Sequence, residues 1–169
     1  MVNVAEIADV LSAHPGVSRA GVAVVRHEGR DVTIAAVELT EYLSGPVLRN
    51  HVRHRLGEDC GLGGVLVVDR LPMADGAVDA GQLAAAVADG RCTTFEDPRD
   101  DVERRVAAIW SALMDVRPVG VTDDFLELGG DSLSALGIIA ALEAEFDRSL
   151  DVYEFMSASS VRRLAEMLR

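Results

Sequence analysis

The chain has 169 residues, 49% of them apolar and 26% charged, enough to fill a core and too apolar for disorder throughout. Its 28 acidic residues outnumber 16 basic ones for a net charge of -12, which repels phosphate backbones, argues against nucleic acid, and favours partners with basic faces. All sixteen basic residues are arginine, so any mechanism that needs a lysine amine is excluded.

In chain order, Asn3 and Glu6 read as a capping pair, and Val4, Ile7, Ala8 and Leu11 recur at helical spacing until His14-Pro15-Gly16 ends the run. Residues 18–26 and 31–39 are rich in small and β-branched residues and flank the turn-like HEGR, which predicts a β-hairpin. Ser44-Gly45-Pro46 opens a second helix with Leu48, Val52 and Leu56 on one face. VLVVD, 65–69, is a short buried strand, and the Ala-rich stretch after Asp79 is a small helix. Residues 1–88 are therefore expected to form a small α+β domain. Residues 89–98 are polar, contain Gly90 and Pro98, and read as a linker.

From 99 to 169 the pattern is helical only. Asp100 and Glu103 form a cap, and Val102, Val106, Ile109, Trp110 and Leu113 make an apolar stripe. After Arg117-Pro118-Val119-Gly120 comes a loop, VTDDFLELGGD, that leads to Ser132. Ala135, Ile138, Ile139, Leu142 and Phe146 then mark a helix, followed by a short VYEFM segment and a last helix with Val161, Leu164 and Leu168. The expectation is an all-α four-helix bundle. The N-terminal residues lack the pattern of a secretory or transit peptide, and no apolar run approaches the roughly 18 residues that span a bilayer. Cys60 and Cys92, without C-x-x-C partners, read as free thiols in a reducing cytoplasm. His51 and His54 stand one helical turn apart, but with no third ligand in view they read as a solvated helix face and no metal is expected.

The stretch LGGDSLSAL, 128–136, carries the chemistry. Gly130-Asp131-Ser132-Leu133 also spells the signature of one class of serine hydrolases. A serine hydroxyl needs an adjacent base, usually histidine, and His14, His27, His51 and His54 all precede Ser132 in the other predicted domain. A helix start suits an anion, because its free N–H groups and dipole favour negative charge. Gly129 and Gly130 are read as letting the chain turn sharply and keeping bulk away from the hydroxyl, and Leu133 and Leu136 as a small exposed apolar patch for docking. A third reading makes Ser132 merely a helix cap.

Residues 99–169, with DDFLELGGDSLSAL at their centre, resemble a peptidyl carrier protein of nonribosomal peptide synthetases. The resemblance implies that Ser132 receives 4'-phosphopantetheine, with Asp131 as its usual acidic neighbour and Gly130 before it, and that the arm's thiol holds an aminoacyl or other acyl group as a thioester. It implies as partners a phosphopantetheinyl transferase, an adenylating enzyme, and downstream synthetase or tailoring enzymes of secondary-metabolite biosynthesis.

VAEIADVLSAHPGVSRAGVAVV resembles the opening of the small C-terminal subdomain of adenylation domains, and LPMADGAVD, 71–79, that family's closing motif. Ala77 occupies the place of the family's lysine, whose charge serves adenylate formation, a contribution whose loss costs about a hundredfold or more. With that residue changed and no larger nucleotide-binding lobe in the chain, the expectation is a carrier without catalysis of its own, loaded in trans. The first domain is then a structural remnant or a docking module. The alternative is the small lobe of a split adenylation enzyme completed by another polypeptide.

Overall fold

The computed structural model describes residues 2–169, which divide into two compact units, residues 2–94 and 95–169. In the first unit, helix α1 (Val4–Ala13) begins where Asn3 Oδ1 accepts from Glu6 N at 3.2 Å, the expected cap. It buries Ile7 and Leu11, while Val4, at the first position, is partly exposed. Strands β1 (Val17–His27) and β2 (Arg30–Leu39) pair antiparallel around Glu28-Gly29. Both turn residues have positive φ, as a two-residue hairpin of matching twist requires. Helix α2 (Gly45–Leu56) is capped by Ser44 and crosses to β3 (Leu62–Val67), which pairs parallel to β2.

The sheet order is β1-β2-β3, and β2 is buried on both faces. Ala35 and Val37 face a core shared with Ile7, Leu11, Leu48 and Val52. Ile34 and Ala36 face another, built with Leu83, Ala86 and Val87 of α3 (Ala80–Ala88). A central strand covered on both sides reads as a continuous apolar run rather than an alternation. Between β3 and α3 lies an element the hydrophobic pattern does not reveal, a two-residue hairpin of β4 (Met73–Ala74) and β5 (Ala77–Val78). Asp75 and Gly76 form its tip, both at positive φ.

The second unit is the expected four-helix bundle of α4 (Asp101–Met114), α5 (Ser132–Phe146), α6 (Val152–Ala158) and α7 (Val161–Leu168). Trp110, Phe125 and Phe155 form its aromatic centre, with Trp110–Phe125 centroids 5.6 Å apart and Phe125–Phe155 centroids 5.0 Å apart in edge-to-face arrangement. Val106, Ile138, Leu142, Val161 and Leu164 close around them. Leu113, expected on the buried stripe, is exposed.

The stretch expected as a linker, 89–98, is shared between the units. Arg91 N and Cys92 N both donate to Ala86 O, and Cys92 is buried in the α3 core, whereas Glu96 belongs to the bundle. Polarity hid this, because the anchoring is done by backbone amides and one small thiol. Among the described residues no helix is long and apolar enough to cross a membrane, and no group of three or more side chains is placed to hold a metal ion. His51 packs edge-on against His14, with ring centroids 4.9 Å apart.

Candidate functional site

Ser132 is the first residue of α5, and the loop before it is fixed by its own polar groups. Asp123 is fully buried and its Oδ2 accepts from Gly120 N at 2.8 Å. Asp124 Oδ1 accepts from Leu126 N and Glu127 N at 2.9 and 3.1 Å. Phe125 N donates to Ser159 O at 2.9 Å, and the Phe125 ring sits in the aromatic centre. The chain then folds back, Gly129 N donating to Leu126 O and Gly130 N to Phe125 O.

The two glycines have different reasons to be there. Gly129 has φ +95° and open space around it, so its demand is conformational. Gly130 is steric, since a Cβ there would lie 2.4–2.5 Å from three atoms of the Phe125 ring. The sharp turn expected here falls at Gly129, and the space that Gly130 leaves faces the Phe125 ring. It lets the loop lie directly on the aromatic core.

Asp131 is the cap of α5. Its Oδ1 accepts from Ser134 N at 2.8 Å, and Ser134 Oγ accepts from Asp131 N at 2.9 Å, a reciprocal capping box. The Ser134 N–H and hydroxyl, both donating to Asp131 Oδ1, hold the Asp131 carboxyl below the usual aspartate range. Because Asp131 and Ser134 do the capping, Ser132 does not, and its exposed hydroxyl has no hydrogen-bond partner among the described residues. Nearby, Glu127 is open to solvent over much of its surface. Its carboxyl is nevertheless pushed up by partial loss of hydration and by the carboxylates of Asp124 and Asp123.

Leu133 and Leu136 are 80% and 56% exposed, too much for core residues on a 15-residue helix. They line different clefts. Leu136 borders an apolar cleft of about 460 Å³ with Leu126, Ala135, Val152 and Met156, and Ser132 stands on its edge. Leu133 borders a second cleft of about 370 Å³ with Leu113, Met114, Gly129 and Gly137. Leu126, Val152 and Met156 are site neighbours that sequence periodicity does not mark, because all three lie outside the helix that carries the serine. Gly130, Asp131, Ser132, Leu133 and Leu136 therefore come together, whereas Ala77 lies in the first unit, exposed on β5.

Residues 104–168 match the family model described as the phosphopantetheine attachment site. The chain is 33% identical over 172 residues to the isonitrile lipopeptide synthase of Mycobacterium tuberculosis, covering 99% of this chain and 7% of that one. It is likewise 33% identical over 171 residues to the phosphinothricin tripeptide synthetase PhsC of Streptomyces viridochromogenes, covering 97% and 16%. The second unit is a peptidyl carrier domain of the nonribosomal peptide synthetase kind. The cofactor of such a carrier domain is covalently attached 4'-phosphopantetheine. This chain spans less than a fifth of the length of these two relatives, while the alignments run through both of its units. A solved structure described as McyG A-PCP complexed with phenylalanyl-adenylate aligns over 98% of this chain and 30% of its own, with 22% identity and a TM-score of 0.44. The carrier domain thus places one exposed, uncommitted hydroxyl at the start of a long helix, between two clefts.

Proposed function

We propose that Ser132 is the attachment residue for 4'-phosphopantetheine and that the protein carries an aminoacyl or other acyl group in nonribosomal peptide biosynthesis, loaded in trans by a separate adenylating enzyme. The observation that carries this reading is the Ser132 hydroxyl itself, exposed, left out of the capping box, and set at the first position of α5. A phosphodiester on that oxygen lies beside the free N–H groups of the helix start, where its negative charge is favoured by about 0.3–1 kcal/mol. When bound, the group supplies a thiol that holds acyl groups as thioesters. The chain's part is to present the hydroxyl. Asp131 holds the first turn through Ser134, Gly130 seats the loop on Phe125, and Leu133 and Leu136 offer apolar contacts to visiting enzymes.

On this reading the first unit, with Ala77 at the position of the adenylation lysine, performs no activation alone and serves as a structural remnant or docking module. The competing view is a split adenylation enzyme, in which the first unit completes a larger lobe. It draws on the alignments with synthetases, which run through both units.

Intact-mass spectrometry after incubation with coenzyme A and a broad-specificity phosphopantetheinyl transferase tests the attachment. One added phosphopantetheine is expected on the wild type and none on Ser132→Ala. An unmodified wild type, or a Ser132→Ala chain that still gains the mass, rejects the assignment. Pyrophosphate exchange restored by mixing with a candidate larger lobe, with Ala77 retained, would support the split enzyme instead.

A further inference from the structure

We propose that residues 95–99 are a strap belonging to the carrier domain, closed by a clip of Glu96, Arg162 and Glu103, so that the body that moves as one piece begins at Phe95 and not at α4. The inference is independent of what Ser132 carries. Arg162, on α7, donates from Nη1 to Glu96 Oε2 at 2.8 Å and from Nε to Glu103 Oε1 at 3.1 Å. Glu103 is nearly fully buried on α4, and its second oxygen, Oε2, accepts from Arg99 N at 2.8 Å. One arginine therefore joins the last helix, the first helix and the chain that leads into them. A guanidinium bonded to two carboxylates in a partly buried place is a geometrically demanding joint.

Backbone contacts continue the strap beyond the charges. Val121 N donates to Glu96 O at 3.0 Å, and Arg162 N donates to Val121 O at 3.0 Å, so Glu96, the site loop and α7 are laced in sequence. The Phe95 ring lies against Gly120, where a Cβ would meet it at 3.0 Å. The clip also has a weak point, because Arg162 Nη2 is buried without a partner. Releasing residues 95–99 would lengthen the chain that tethers the carrier by five residues, up to roughly 17 Å at about 3.3–3.6 Å per residue. The strap thus sets how far a carrier group can reach.

Backbone 15N relaxation on the full 169-residue chain tests this, comparing wild type with Glu96→Ala and Arg162→Met. In the wild type the amides of residues 95–97 and 99 should show order parameters of about 0.85, those of rigid backbone. Glu96→Ala should drop those of residues 95–97 below about 0.6, while the Arg99 amide, still held by Glu103, and the amides of α4 to α7 keep their order. Arg162→Met should do the same and in addition disturb α4 at Glu103. If Arg162→Met fails to fold, Glu96→Ala decides alone, since it leaves the Arg162–Glu103 pair intact. A wild-type segment already below about 0.6, or a Glu96→Ala chain as rigid as wild type, overturns the proposal.

Discussion

Gly130 shows how one missing methyl group can set how closely a loop lies on a core. Its φ lies outside the left-handed range that favours glycine, so the requirement comes from the Phe125 ring beneath it. That ring is buried and packed edge-on against Trp110 and Phe155, so it can yield only by disturbing them. Gly130→Ala should destabilise the carrier domain by about 1–3 kcal/mol, read from chemical denaturation, whereas Gly129→Ala should show the cost of positive φ without a clash. Asp131 makes a different prediction. Its carboxyl is held below the ordinary aspartate value by the Ser134 N–H and hydroxyl, so the cap is fully formed at pH above that value and is lost as pH falls through the lower, folded value. Amide exchange at Leu133 and Ser134, corrected for its intrinsic pH dependence, should accelerate on acidification in the wild type. In Asp131→Ala it should be fast already at neutral pH.

At the scale of the helix, most of α5 can be read from its sequence. Ala135, Ile138, Ile139 and Leu142 recur at helical spacing and are buried. Asp131 and Ser134 stand three apart, the spacing of a capping box, though the sequence alone does not tell whether Asp131 or Ser132 is the cap. Periodicity gives the direction of a face but not its width, which is why Leu113 looks like core and is not. Nor does it show that Leu133 and Leu136 border different clefts, because the other walls come from the site loop, α4 and α6. Leu133→Ala and Leu136→Ala should each change stability by no more than about 0.5 kcal/mol, since little is buried at either position. Each should slow phosphopantetheinylation or acyl loading, and the two should differ in which enzyme they impair most. Equal, unchanged rates for both would remove the clefts from the docking surface.

Over the whole molecule, the change from mixed α+β to purely helical pattern already separates the two units in the sequence. The segment between them does not announce its loyalties. Its anchors are backbone amides at Arg91 and Cys92 on one side and a long-range pair, Glu96 with Arg162, 66 residues away on the other. No local pattern encodes a contact of that separation. The β4–β5 hairpin was invisible for the opposite reason, since two-residue strands are too short to carry a period. Ala77 sits exposed on that hairpin, so Ala77→Lys should fold as the wild type does. On the proposed reading it should still give no ATP–pyrophosphate exchange in the 169-residue chain, because a single ammonium cannot replace the nucleotide-binding surface that activation needs.

Trp110 is the chain's single tryptophan, and it is wholly buried against Phe125, the ring on which Gly130 rests. Its indole is thus a built-in optical probe, and it reports from the half of the molecule that presents Ser132. A shift of its emission to longer wavelength marks water entering the aromatic core on which the site loop rests, so the packing beneath the serine can be followed in solution without any added label.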